Sequence, residues 1–442
     1  MTASGLSAPL RRPLFRRLGA SYAINEIGDW MGIVALSVLV YDQTESALAT
    51  TVLFLGMSFA PGLLAPLLVA KAEQPPPRFV LPVLYCGEAA AFGTLAVLAG
   101  HFSLPLVFLV AAADGALALA ARALTRAVAT ALLAPGGELR AGNALLNVAF
   151  TGGAALGPAI AGLVVASLGV QSALLLDAVS FYVVGWILLT AGDLPQAEPE
   201  PGGMGERVRA GIAYIRRQRT LRLLLIAEGA AFVFFAAVLP VEVVYAKETL
   251  GAGDSGYGLM LGSWGAGMVL GSILFAATRK ASLAHLLFFS TIAVGAAYTG
   301  IAVAPTLVVA CAVSVVGGAG NGVQWVAAIS AVQELTTETM QARVMSVLES
   351  IGAAMPGIGF VLGGLIAALV SPRMTFLAAG SGVIAIVVVM APLLGGKWLE
   401  HDERPGSQLD GQNEVVLDGQ DEVVVELIPG DISDNLSTEE GS

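Results

Sequence analysis

Glu26 and Asp29 stand three residues apart within an apolar run, a spacing that puts both carboxyls on one face of a helix, with Asn25 beside them. Glu88, Asp114, Glu228 and Glu349 each interrupt a further apolar run, and Arg122 lies eight residues past Asp114, about two helical turns on and nearly the same face. An acid sheltered from water favours its neutral form. Such a group takes up a proton when one side of a barrier wets it and gives the proton up when the other side does. Asp114, Glu88 and Glu349 lead as proton carriers or cavity groups, with Glu26, Asp29 and Glu228 behind them. Arg122, Asn147, Asn321 and Gln324 are further polar candidates for a shared cavity. Each has a plainer reading. Glu26 and Asp29, near the inner end of their run, can reach water, cap a helix or pair with arginines of the central linker. Asn321 and Gln324, one turn apart beside Trp325, fit interhelical hydrogen bonding. Asp177, shallow in its run, and His285 near a run's inner end read as structural. Phe232, Phe234 and Phe235 line either a greasy pocket or a lipid face.

The elements that must position these groups are the apolar runs themselves. Of 442 residues 56% are hydrophobic and 12% charged, and the mean hydropathy is +0.80. Soluble proteins carry about a quarter charged residues, so the solvent implied here is a bilayer. Its hydrocarbon core takes roughly 20 apolar residues per helix, with every backbone hydrogen bond made inside the span. Runs recur at about 21–41, 47–70, 79–99, 104–126, 142–168 and 171–191, then at 221–244, 256–277, 283–303, 306–332, 344–370 and 374–395. The expected fold is all-α: twelve transmembrane helices in two six-helix bundles. An ionisable group near the centre of such a helix costs at least ~2.5–3.5 kcal/mol, which marks each one as a functional candidate.

The parts divide as an N-terminal segment 1–20, a first bundle 21–192, a basic linker 193–220, a second bundle 221–396 and a tail 397–442. With the N-terminus inside, twenty of the 22 Lys and Arg residues fall on inner segments, and only Lys247 and Arg373 fall outside. That bias predicts both termini in the cytoplasm. The net charge of −11 belongs to the tail: residues 398–442 carry thirteen acids and one base, and the rest of the chain is close to neutral at +1. Residues 409–416 repeat almost unchanged at 417–424, and this acidic stretch is expected to be disordered. A docking segment for a basic partner, or for the protein's own basic linker, is the alternative. Two cysteines, Cys86 and Cys311, both within runs, give no disulfide framework. The first long run reads as a retained helix.

The halves echo one another. Ser46, Gly56 and Lys71 recur as Ser255, Gly265 and Lys280 at an offset of 209. Gly157 and Gly162 recur as Gly359 and Gly364 at an offset of 202, which also matches Asn147 with Glu349. Two halves related by an axis along the membrane normal are implied. The fifth run is rich in small residues (Gly153, Gly157, Pro158, Gly162), as is the eleventh (Gly359, Gly364), so helices approach closely there.

On these features the chain resembles the major facilitator superfamily over roughly residues 12–396, and within it the macrolide-efflux and siderophore-export branch. The resemblance rests on the six-plus-six layout, the basic linker, Gly28-Asp29-Trp30 followed by Val40-Tyr41, and Gly153-x-x-x-Gly157-Pro158-x-x-Ala161-Gly162, similar to the antiporters' fifth-helix motif with Ala144 where an upstream glycine would fall. The loop after the second run departs from the family pattern. Val69 stands at the glycine and Glu73 at the aspartate of an inner latch, followed by Gln74, three prolines and Arg78. Glu73 and Arg78 are the remnant of that latch. The resemblance implies proton-coupled efflux of an amphipathic drug, antibiotic or siderophore across a bacterial cytoplasmic membrane. A lipid or metabolite carrier, an importer, and a transport-inactive receptor or scaffold are the alternatives. No His-Glu-x-x-His, Gly-x-Ser-x-Gly or nucleotide-loop pattern occurs, so no enzyme is expected. Protons, a small-molecule substrate and membrane lipid are the expected partners. No cofactor, metal or nucleic acid is expected, and the chain is read as a monomer.

Overall fold

The computed structural model describes residues 7–72, 75–196, 204–278 and 281–394. Glu73, Arg279, Lys280 and the acidic tail lie outside the described residues. The first six spans are α1 (Pro13–Thr44), α2 (Ala47–Phe54, through a π turn at Leu55–Phe59 into Ala60–Ala72), α3 (Pro77–Gly100), α4 (Leu104–Leu133), α5 (Leu139–Leu168) and α6 (Val170–Leu189). A shorter helix, α7 (Met204–Arg217), lies within the linker. Then follow α8 (Arg219–Thr249, interrupted after Val238), α9 (Gly253–Ala277), α10 (Leu283–Val303), α11 (Leu307–Glu334), α12 (Glu338–Leu369) and α13 (Pro372–Leu394). Among the described residues twelve helices are long and apolar enough to cross a membrane.

Local chemistry sets the ends. Pro13, Pro77 and Pro372 open α1, α3 and α13, where a missing N–H costs nothing. Ser46 and Thr306 cap α2 and α11 by accepting from Ala49 N and Val309 N. Glu45, at φ 48°, turns the chain out of α1. α1 and α4 run one to two turns beyond their apolar stretches, because Arg12, Arg16, Arg17 and Thr130 tolerate water at the membrane surface. α7 was not expected from the linker's Pro, Gly and Arg content. It packs on the start of α12, with Gly211 against the Arg343 carbonyl, Ile215 buried, and the Tyr214 hydroxyl accepting from Thr337 N.

In the first bundle α1 packs on α5 and α6, α3 on α4 and α6, and α2 on α4. In the second α8 packs on α12 and α13, α9 on α11, and α10 on α11 and α13. Two faces join the bundles, α5 on α9 and α2 on α12. The repeat at offset 202 shows in this packing. Gly157 admits the Ile27 carbonyl of α1, as Gly359 admits the Val233 carbonyl of α8. Gly162 faces Gly258 of α9 across the junction, as Gly364 faces Thr51 of α2. The offset of 209 is not matched this way: Gly56 lies under Phe108 of its own bundle, whereas Gly265 meets the Ala154 carbonyl of the other. Large apolar side chains such as Val83, Leu163 and Leu369 stay exposed on the outside, the surface a bilayer covers.

Candidate functional site

α1 brings Glu26 and Asp29 to one face, and α4 supplies the cation opposite. Arg122 Nη2 donates to Asp29 Oδ2 at 2.7 Å, and its Nε lies 3.4 Å from Glu26 Oε1. Asn25 Nδ2 adds a bond to the same Asp29 oxygen at 3.0 Å, and one turn along α4 Arg126 donates to the Tyr22 hydroxyl at 3.2 Å. The expectation that Glu26 reaches water or a linker arginine is corrected: its side chain is 0% exposed and its partner is Arg122. The Arg122 side chain as a whole is 36% exposed, although its Nε is buried. Arg122 and Asp114, on one helix, do not pair, since eight residues of rise keep them about 12 Å apart.

Behind this pair lie three more acids. Glu88 of α3 is fully buried and neither carboxyl oxygen makes a hydrogen bond within the protein; Asp114 is 5% exposed with Oδ1 also unbonded. Asp177 of α6, read above as shallow and structural, is 1% exposed and sits where Gly28 and Gly32 leave room. A Cβ at Gly32 would come within 3.1 Å of its Oδ2. Ser180 donates to its other oxygen at 3.2 Å. Glu88 is in electrostatic reach of Asp29, Asp114, Asp177 and Arg122. The signal for Asp177 was present one turn apart in α1, in Gly28 and Gly32, but a sequence does not say what a glycine faces.

The second bundle is satisfied differently. Gln324 Nε2 of α11 donates to both carboxyl oxygens of Glu228 in α8, at 3.1 and 3.2 Å, and both residues are buried. Trp264 Nε1 donates to Asn321 Oδ1 at 3.4 Å. Phe232 meets Trp325 edge-on, Phe235 meets Trp264, and Phe234 fills the space beside Gly382. Glu228, Gln324 and Asn321 therefore join helices. Gln324→Leu, which strips the acid of this donor, is expected to cost about 1–2 kcal/mol, read as a lower unfolding temperature in detergent, with Glu228→Gln costing less.

Other sequence candidates are apart from these clusters. Asn147 is half-buried and its carbonyl accepts from Thr151; Glu349 is exposed, within electrostatic reach of Arg126 across the junction. Arg78 pairs with Asp193 at the end of its own bundle and lies over the Phe79 ring, so it does not latch the bundles together in this structure.

At the end where α1 turns into α2 and α8 into α9, Lys247 bonds Asp254 at 2.6 Å and also Asp42, and Tyr41 donates to Glu248. Lys247, read from the sequence only as a base on the outer face, thus ties α1 to α8 and α9. Partly exposed pairs are worth about 1 kcal/mol at most. In a background lacking Cys86 and Cys311, Lys247→Ala is expected to raise the alkylation rate of a buried Thr51→Cys reporter by about five-fold, on the order of 1 kcal/mol.

A family profile described as transmembrane secretion effector matches residues 3–438. No curated protein matches in sequence. Among solved structures, a point variant of the nucleoside transporter NupG superposes with a TM-score of 0.74 at 11% identity, over 86% of this chain and 99% of that one. A bacterial homologue of the iron transporter ferroportin, inward-facing, gives 0.68 at 16% identity, over 86% and 98%. A bacterial homologue of the human lysosomal transporter Spinster, inward-facing and unoccupied, gives 0.64 at 12%, over 91% and 100%. At such identities the likeness is one of fold.

Proposed function

The chain belongs to the transmembrane secretion effector family of major facilitator transporters, and from that premise we propose that it exports a small amphipathic molecule in exchange for protons. The observation that carries the proposal is the surplus of acids in the first bundle. Five carboxyls (Glu26, Asp29, Glu88, Asp114, Asp177) gather around one guanidinium, Arg122, with Arg126 exposed one turn further along α4. Protons, or a cationic guest, neutralise such a surplus, and one occupant leaving in favour of the other is exchange. Asp114 and Glu88 are the leading carriers, with Glu349 at the wet face beside Arg126.

Alternation follows from the glycine-lined junctions, α5 on α9 and α2 on α12, about which two bundles rock. The word secretion in the family description supports export. The basic-residue count supports a cytoplasmic membrane with both termini inside. A drug, an antibiotic or a siderophore fits the amphipathic class. Growth of a deletion strain against panels of all three, with and without the gene restored, tests the reading. Hypersensitivity or intracellular siderophore build-up, reversed by the intact gene and not by Asp114→Asn with Glu88→Gln, is expected. Unchanged growth and siderophore levels throughout would count against export.

A further inference from the structure

α8 stops its regular hydrogen bonding after Val238, where Leu239 N turns back to Ala236 O and Val241 N to Val238 O, and helix resumes at Glu242. Thr50 of α2 donates to the Pro240 carbonyl at 2.9 Å, pinning the break to the first bundle. Glu242 is 5% exposed, and its Oε2 makes no hydrogen bond within the protein. Two further buried hydroxyls lie beside it, Tyr257 Oη of α9 and Ser37 Oγ of α1, close enough to bond one another but not the acid's Oε2. Three helices and both bundles therefore bring an acid, a phenol and a hydroxyl together, with the Oε2 of the acid left without a partner.

The surroundings hold no counter-charge for Glu242. Its titratable neighbours are phenols, Tyr257 and Tyr298 of α10, and no described cation acts on it. Tyr245, on its own segment, donates to the Ile301 carbonyl. Lys247 is held between Asp42 of α1 and Asp254 of α9, Glu248 accepts from Tyr41, and Arg373 of α13 donates to the carbonyls of Ala302 and Ala304 at 2.7 and 3.2 Å. A bare carboxylate without partner is among the costliest groups to bury. Broken transmembrane helices are where transporters commonly hold coupling ions, because unwound backbone and inward polar side chains meet there.

We propose that Glu242, Tyr257 and Ser37 form a site for one small monovalent cation, a proton on the carboxyl or Na⁺ among the three oxygens, and that the bound cation keeps shut the end where α1 turns into α2 and α8 into α9. The inference rests on the alternating-access reading above. As the bundles part at that end, Ser37 leaves Glu242 and Tyr257, water reaches the carboxylate, and the cation departs. Occupancy and closure are then one linked equilibrium.

The test uses the full chain in nanodiscs, with Cys86→Ser and Cys311→Ser and spin labels at Leu48→Cys and Leu369→Cys, exposed positions where α2 and α12 meet at that end. Alkaline, Na⁺-free buffer is expected to add a long-distance population to the otherwise wild-type chain. Acid alone removes it if the cation is a proton; Na⁺ at alkaline pH removes it if the cation is Na⁺. Glu242→Gln, a neutral stand-in for the occupied site, should stay short in every buffer. Tyr257→Phe with Ser37→Ala, which keeps the acid, should move the midpoint by about tenfold in cation concentration. A wild-type distance indifferent to both acid and Na⁺, a Glu242→Gln chain that opens like wild type, or an unmoved midpoint in the hydroxyl variant overturns the proposal. If an exported compound still changes the distance, the transport reading survives that failure. A distance fixed under every condition, compound included, counts against both.

Discussion

Arg122→Ala is expected to lower the stability of the detergent-solubilised protein by about 2–3 kcal/mol, and to abolish transport. Breaking one side of a fully buried pair costs ~3–5 kcal/mol because the other charge is left uncompensated. The lower figure applies because the Arg122 side chain is 36% exposed. Two acids lose their partner at once, Asp29 at 2.7 Å and Glu26 at 3.4 Å, and Glu26 is wholly shut off from solvent. The penalty comes from the stranded acids more than from the lost arginine. Adding Glu26→Gln and Asp29→Asn should therefore return most of the lost stability without restoring transport. Unfolding temperatures of the wild type, the single variant and the triple variant decide this. A triple variant no more stable than Arg122→Ala would show that the arginine acts through packing alone.

Gly258→Val has the second large effect, through the junction of the bundles. A Cβ on Gly258 would run into the Pro158 carbonyl and come within 2.7 Å of Gly162 Cα, backbone that cannot step aside without separating α5 from α9. Overpacking of this kind costs ~1–3 kcal/mol, and here the cost falls on the state in which the bundles touch. The closed-to-open ratio at that end should drop about 5- to 150-fold, with each bundle still folded. The double spin-label distance between positions 48 and 369 would lengthen. Val at Gly100, where an added Cβ meets nothing within 4 Å, is the control expected to leave the distance unchanged. A Gly258→Val chain with the wild-type distance would remove α5 on α9 from the moving surface.

The spans were legible because a bilayer imposes length and polarity on each segment separately, so the apolar runs and the helices agree to within a few residues over most of their ends. The glycine faces were legible in part. Gly157 and Gly359 announced close approach, and the shared offset announced that the two approaches are equivalent. Their partners in α1 and α8 follow only from the fold. What sequence could not carry is pairing between helices far apart in the chain. Arg122 stands 93 residues from Asp29, so a search of each run for its own neighbours left Arg122 too far from Asp114 to pair and offered Asp29 only the linker arginines. Glu242 was passed over because it stood at the end of an apolar run, where an acid ordinarily meets water. The break in α8 turns it inward. Lys247 was informative about sidedness alone until the fold put Asp42 and Asp254 around it.

The central claim is that buried acids of the first bundle couple protons to the movement of an amphipathic guest. The most direct measurement is uptake of fluorescent amphipathic cations by everted membrane vesicles, with an imposed proton gradient, for the wild type and for Glu88→Gln with Asp114→Asn. The account predicts gradient-dependent accumulation of at least one dye by the wild type, collapse of that accumulation by a protonophore, and its loss in the double variant while the protein remains folded in the membrane. Accumulation by the double variant that still follows the gradient, or wild-type vesicles indistinguishable from empty ones across the dyes, would contradict it.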